Sequence, residues 1–369
     1  MINVRKTGHL TVLCMLGMMF LMLCALSVSA ETLRIFTWGG YMTDAHEQTF
    51  IDLIKDKYGV DLTLEITLVG GNDDFFPALR DNKADIITPS HNVPRDERYQ
   101  LIKHRLVLPL NLENIPNYKN VDPGLQYADY SAEGDVVYGV PVATGPYGLF
   151  YNTAIVEEAP KSWNILWDPQ YNNQYTFGQG QYEENIYITA LAMGMSRDDM
   201  SSYEKLNTPE FQEKLGQFVV NAHSMWESAE SAEDLKGLAL SVGWGDAVYA
   251  LAEMGEIWKQ AEPEEGTTAW VDTFMIGYAL EDKPQLKQIA EEWINYILSD
   301  DYQMYIIRDV GIIPIVTTIK DQLTPEEIAR FHLDDPTHFK NYRIPWPTLK
   351  KANRKGLERL WKKAMDLRK

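Results

Sequence analysis

Apolar and polar residues alternate without a break from Val60 to Leu68. Val60, Leu62, Leu64, Ile66 and Leu68 share one face; Asp61, Thr63, Glu65 and Thr67 share the other. A period of two predicts a strand. In the preceding TDAHEQTFIDLIKDKYG the period is helical: Phe50, Leu53, Ile54 and Tyr58 form a stripe, Asp44 with Glu47 resembles a capping box, and Gly59 ends the run. Before that, LRIFTWGGYM reads as a strand over 33–37 that breaks at two glycines between Trp38 and Tyr41. DDFFPALRDNK reads as a short helix, and ADIITPS as a compact strand ending at Pro89–Ser90. The order strand, helix, strand, helix, strand predicts a parallel sheet with helices on its faces.

The middle of the chain repeats this style. VYGVPVATGPYGLFYN is strand-like and punctuated by glycine, YEENIYITALAMGM is a helix, and LALSVGWGDAVYALAEM is a strand, a turn and a helix. TAWVDTFMIGYAL is a further strand. From Pro284, the apolar positions Leu286, Ile289, Ala290, Trp293, Ile294, Ile297 and Leu298 line one face of a helix. Residues 350–369 form a basic amphipathic helix with Leu349, Ala352, Leu357, Leu360, Trp361 and Ala364 inward. Charge patterning favours a solvated terminal helix over a membrane-docking one.

The first thirty residues change the picture. Arg5 and Lys6 precede an apolar stretch from Leu10 to Leu26, and Val28–Ser29–Ala30 supplies small residues before Glu31. This is the pattern of a secretory signal cut after Ala30. Cys14 and Cys24, the two cysteines of the chain, both fall inside it. An exported protein without thiols depends on the core that its remaining length, about 340 residues, can bury, and a chain of that length favours two domains. The net charge of −19 becomes more acidic still once the leader is removed. Such a surface repels phosphate backbones and excludes nucleic acid as the expected partner.

Catalytic motifs are missing. The seven histidines are scattered, and His46–Glu47 lacks the second histidine of a zincin. His332 and His338 flank LDDPT without a recognised metal-ligand spacing, and the expectation is a surface loop with no metal and no cofactor. A nucleophile elbow, a P-loop and a complete dinucleotide fingerprint are all absent. Instead, Trp244–Gly245–Asp246 and Trp270–Val271–Asp272 both read Trp-x-Asp. In an extended segment residues i and i+2 share a face, so each pair sets an indole beside a carboxylate. That combination suits an organic ammonium, whose charge is attracted to a ring face and whose N–H groups donate to a carboxylate. Trp38 and Tyr41 lie at the carboxyl end of the first strand, where open α/β sheets bind ligands. Core filling by the tryptophans and turn or cap roles for the aspartates explain the same residues equally well.

The motifs FTWGGY, ADIITPS, YGLFYN, SWNILWDPQY, VGWGDAV, WVDTFMI and VGIIPIV occur in the order found in the spermidine- and putrescine-binding proteins of bacterial ABC importers. Across essentially the whole chain after the leader, the sequence resembles that family. The resemblance implies a type II periplasmic binding protein fold: two α/β lobes, each a mainly parallel sheet flanked by helices, joined by a hinge of crossing segments. The expected division is 31–141 plus 274–318 for one lobe and 142–273 plus 319–369 for the other. It also implies a periplasmic monomer that captures a small cationic amine by hinge closure and delivers it to an ABC permease. Trp38, Tyr41, Ser90, Glu184, Trp244, Asp246, Trp270 and Asp272 are the implied ligand contacts, with Thr37, Gln181, His91 and Asn92 as outer candidates. Glu184 rather than Glu183 is the implied ammonium partner.

The sequence also departs from that family. Gln181 stands where spermidine-type members carry an aspartate, and Gly40 where putrescine-type members carry an acidic residue. Ala247 replaces a putrescine-type aspartate, with Asp246 one residue early. Thinned carboxylates suit a ligand with fewer positive ends: a mono-amine, a quaternary ammonium or an amino acid-like solute. A secreted enzyme using Asp246, Asp272 and Glu184 as acid and base is the rival from another class.

Overall fold

The computed structural model describes residues 30–227, 230–335, 337–338 and 342–368. The expected signal segment, apart from Ala30, lies outside them. Among the described residues no helix is long and apolar enough to cross a membrane.

Strand β1 (Ala30–Thr37) pairs in parallel with β2 (Asp61–Leu68) from Ala30↔Asp61 to Thr37↔Leu68, and on its other edge with β3 (Ile86–Ile87). Helices α1 (Asp44–Tyr58) and α2 (Phe75–Arg80) make the connections. The cap of α1 differs from the expected one. Thr43, not Asp44, is the N-cap, and its hydroxyl accepts from His46 N. Gly59 closes the helix at φ 67°, a left-handed conformation that suits a residue without Cβ.

The sheet continues through three later strands: β4 (Gly139–Pro146), β10 (Thr267–Ile276) and β11 (Ile313–Pro314), in the order β11-β4-β10-β3-β1-β2. These pairings are antiparallel, so the sheet is mixed. Strand β12 (Arg343–Pro345) pairs in parallel with β10 off this path. A second mixed sheet has the order β9-β5-β8-β6-β7, formed by β5 (Gly148–Asn152), β6 (Tyr175–Gly178), β7 (Ser224–Trp226), β8 (Leu240–Gly243) and β9 (Trp258–Gln260). Helices α3 (Tyr182–Ala192) and α4 (Pro209–Asn221) belong to this half, and α5 (Val248–Glu253) follows β8. In the first half, α6 (Pro284–Ile297) buries Leu286, Ile289, Trp293, Ile294 and Ile297, as its periodicity predicts.

The chain passes between the two sheets at 146–148 and at 261–266, and a third crossing, at β12, carries it from the first sheet into the second core. These crossings lie away from the expected boundaries. Strands β4 and β10 pair from Ala269↔Pro146 to Met275↔Gly139, so 142–146 and 267–273 belong to the first sheet. Ile319, Leu323 and Phe331 pack in the first core, and Ile344, Trp346 and Leu349 in the second. The change of lobe thus falls after Phe331, not at 319. The basic terminal helix α7 (Lys351–Asp366) buries Leu357, Leu360, Trp361 and Ala364 in the second core; Ala352, expected inward, is exposed.

His91 fastens two of these elements. Its backbone N–H donates to Val271 O at 2.8 Å, and its ring Nδ1 accepts from Val271 N at 3.2 Å. The proton therefore sits on Nε2, which donates to Trp346 O at 3.0 Å. Burial pushes the imidazole down to about 4, so it stays neutral at pH 7. His91→Leu leaves Val271 N–H and Trp346 C=O unpaired in the interior. The expected loss is about 2–6 kcal/mol in urea unfolding, because each of the two orphaned buried groups costs about 1–3.

Candidate functional site

Asp272 lies on β10, 7 % exposed, between β3 and β4. Tyr41 Oη donates to its Oδ2 and Ser90 Oγ to its Oδ1, each at 2.8 Å. Two neutral hydroxyls satisfy the carboxylate's geometry without balancing its charge. Desolvation therefore pushes its pKa up to about 7, against the downward pull of both hydrogen bonds. The donors are themselves fixed. Tyr302 Oη donates to Tyr41 O, and Asn72 Oδ1 accepts from Ser90 N at 3.0 Å. Tyr41, at the end of the first strand, is one of the implied ligand contacts. It is 3 % exposed and packs in the first core, so its contribution to the site is the hydroxyl.

Trp270, two residues before Asp272 on the same strand, is half-buried and packs against both cores. Gly145 stands opposite it across β4. A Cβ there would lie 2.7 Å from Trp270 Cζ2, so the glycine provides the room that the indole occupies. Trp38 is half-buried, with an edge-to-face contact to Phe75 at 5.3 Å. Its Nε1 is buried without a partner. Trp244 packs on Tyr147 at 4.8 Å and meets Trp346 at 6.0 Å. Among the described residues no ring contact joins Trp38, Trp244 and Trp270 to one another.

Glu184 sits in the first turn of α3 and is 9 % exposed. Desolvation, then the charge of Glu183, pushes it up to about 8; a hydrogen bond to its own backbone partly offsets this. Its neighbour Glu183 is occupied. Tyr182 and Tyr187 donate to it, and the Arg354 guanidinium lies 3.8 Å away. Arg354, on α7, also pairs with Asp96 from the first half of the chain. Of the two adjacent glutamates, Glu184 is the one that no cation pairs among the described residues.

Asp246 behaves differently from Asp272. β8 ends at Gly243 and Gly245 has φ 90°, so Trp244 and Asp246 do not sit on an extended segment. The same-face expectation fails there, and Asp246 is exposed. The buried carboxylate that reaches this loop is Glu230, 5 % exposed, from 14 residues earlier in the chain, and the sequence pattern did not mark it. It accepts from Trp244 N at 3.0 Å and Gly245 N at 2.6 Å. Desolvation and the Asp246 charge push it up to about 7. A Cβ on Gly243 would collide with Glu230 Oε2, so the bare glycine was the available signal.

The outer candidates divide. Thr37 is fully buried and accepts from Thr88 Oγ1 at 3.0 Å, and His91 is consumed by backbone groups. Gln181 is the half-buried N-cap of α3 and makes no side-chain cap bond; Asn92 is half-buried with Oδ1 unpartnered. The three carboxylates of the enzyme alternative have separate surroundings: Asp246 is exposed, Asp272 engages Tyr41 and Ser90, and Glu184 accepts from its own backbone.

Comparison with known proteins bears on the same region. The family model described as bacterial extracellular solute-binding protein matches residues 81–335, and the chain belongs to that family. The putrescine-binding periplasmic protein PotF of Escherichia coli is 22 % identical over 76 % of this chain and 77 % of its own. SpuD of Pseudomonas aeruginosa, also a putrescine-binding periplasmic protein, is 21 % identical over 90 % and 91 %. The solved structure of the spermidine/putrescine ABC transporter substrate-binding protein PotD from Streptococcus pneumoniae superposes with a TM-score of 0.74 at 19 % identity. It covers 92 % of this chain and all of the other. The two-lobed type II fold is thereby shared.

The raised carboxyls have a consequence for stability. Asp272 and Glu184 hold protons when folded that the unfolded chain, with carboxyl pKa values of about 4, has already lost. Their contribution therefore favours folding at low pH and is lost as pH rises from about 4 to 8. Thermal unfolding of the ligand-free protein should show Asp272→Asn with a flatter fall across this range and a higher midpoint than the parent at pH 8. A variant whose curve runs parallel to the parent's would contradict the assignment.

Proposed function

We propose that the solute captured by this family member is a small organic amine with one or two ammonium groups, held by Asp272 and Glu184 and walled by Trp38, Trp244 and Trp270. The observation that carries this reading is the pair of buried carboxylates that no cation pairs among the described residues. Burying a carboxylate unpaired is costly, and an ammonium entering beside it supplies both the missing charge and N–H donors. The names of PotF, SpuD and PotD lend support, since all three bind di- or polyamines.

The number of positive ends follows from the same accounting. Gly40, Gln181 and Ala247 bring no charge, Asp246 is exposed, Glu183 is paired with Arg354, and Glu230 is held by backbone N–H groups. Two carboxylates are left for ligand. This favours a diamine or a mono-amine over a longer polyamine. An amino acid-like solute carries an anionic end, for which this set offers no partner.

The two sheets act as lobes that close over the amine about the three crossings. Because binding favours the closed state, the lobes shift towards it. A periplasmic site of action and delivery to an ABC permease complete the proposal. A ligand recovered unchanged after denaturation supports transport, whereas turnover would replace it with the enzyme reading.

A thermal-shift screen with putrescine, cadaverine, spermidine, agmatine, choline, betaine and γ-aminobutyrate tests the ligand class. An amine at a hundred times its dissociation constant adds about 2.7 kcal/mol of stability. The diamines and agmatine should shift the midpoint most, and a flat response to every amine would end the proposal. In titration calorimetry, Asp272→Asn should weaken the responding amine by about 2–5 kcal/mol, the range for truncating one partner of a buried charge pair. Undiminished affinity would return Asp272 to a structural role.

A further inference from the structure

His332 and His338, expected in a plain surface loop, are drawn into one cluster by the fold. His332 ends the helix Pro325–Phe331 in a left-handed conformation, φ 55°. Asp335 accepts from Thr337 N at 2.8 Å and from Thr337 Oγ1 at 2.7 Å, which folds the loop back. The His338 ring consequently stacks on His332, with centroids 4.0 Å apart and planes 7° from parallel. Both rings turn Nε2 towards one oxygen of Glu262. His332 Nε2 pairs with Glu262 Oε1, and His338 Nε2 lies 3.9 Å from the same atom. One donor atom from each residue falls within a 4.8 Å sphere of mutual distances.

The contact between His332 Nε2 and Glu262 accounts for only part of this arrangement. His338 Nε2 is buried and has no hydrogen-bond partner. An unpaired buried polar atom is costly, and stacking two imidazoles on one carboxylate oxygen does not satisfy it. We infer that Glu262, His332 and His338 form a site for a divalent transition metal, with zinc as the fitting ion. Two imidazole nitrogens and one carboxylate oxygen are zinc donors, and three protein ligands leave one position open. The cluster borders a cavity of about 270 Å³ lined by His332, His338, Asp335, Arg343, Phe331 and Ile313, which gives that position room for water. Around His338, the cation Arg343 is outnumbered by Glu262, Asp334 and Asp335. Glu262 comes from the crossing at 261–266, and the histidines from the chain that leads into the third crossing. A bound metal would therefore staple two of the three connections between the lobes. The third ligand is some 70 residues from the others, which is why no linear motif announces the site.

The test is titration calorimetry of zinc chloride into untagged, chelator-treated protein, with calcium and magnesium as controls. The expected result is one zinc per chain and no competition from either hard cation. His338→Ala and Glu262→Gln should each weaken zinc at least tenfold while leaving the thermal shift produced by amines unchanged. That second readout separates loss of the site from loss of the fold. Absence of zinc uptake, or uptake that survives both substitutions, would overturn the assignment. Glu262→Gln decides the matter if His338→Ala does not fold, since the Glu262 side chain is exposed.

Discussion

A carboxylate taken out of water without a counter-charge is the constraint around which this protein is arranged. Asp272 sits inside the first sheet with two hydroxyl donors and, among the described residues, no cation. Such a group lowers its cost by taking up a proton or by acquiring a positive partner. The surroundings hold it ready for the second route. Tyr41 is held through its backbone by Tyr302, and Ser90 through its backbone by Asn72, so neither hydroxyl has to be recruited when a ligand arrives. Preorganised donors of this kind reduce the ordering that binding would otherwise require.

The same strand links this charge to the connections between the two sheets. Trp270, on β10 with Asp272, packs against both cores; β4 runs straight into one crossing and β10 starts from another. Glu184 lies in the other half, beside a glutamate that Arg354 ties across to Asp96. A ligand that touches Asp272 and Glu184 together touches both halves of the molecule. Only the interactions that differ between open and closed states shift that equilibrium, and a cation shared by carboxylates from both halves is such an interaction.

Much of the fold was legible in the sequence, because its signals are local. The alternation at 60–68, the stripe of α6 and the stop at Gly59 rest on periodicity and backbone conformation, which neighbours in sequence determine. The lobe boundaries were less legible: the pairing of β4 with β10 joins segments more than a hundred residues apart, and only that register shows where each crossing begins. The site was legible in part for the same reason. Trp270 and Asp272 share a strand, so spacing carried the inference. Trp244 and Asp246 straddle a turn at Gly245, so spacing misled. Glu230 stayed hidden because its partners are backbone N–H groups of a loop that no side-chain pattern marks. The buried roles of Tyr41 and His91 depend on strands that reach them from distant parts of the chain.

The central claim is that an amine enters as the counter-ion of carboxyls that are largely protonated at pH 6.5 in the empty protein, with pKa values of about 7 and about 8. Binding must then expel protons. The most direct measurement is calorimetry of amine binding at pH 6.5 in two buffers of different ionisation enthalpy, repeated at pH 9. The account predicts net proton release at pH 6.5 that fades by pH 9, with affinity rising between them while the amine itself stays charged. Binding with no buffer dependence at pH 6.5, or with proton uptake, would contradict it.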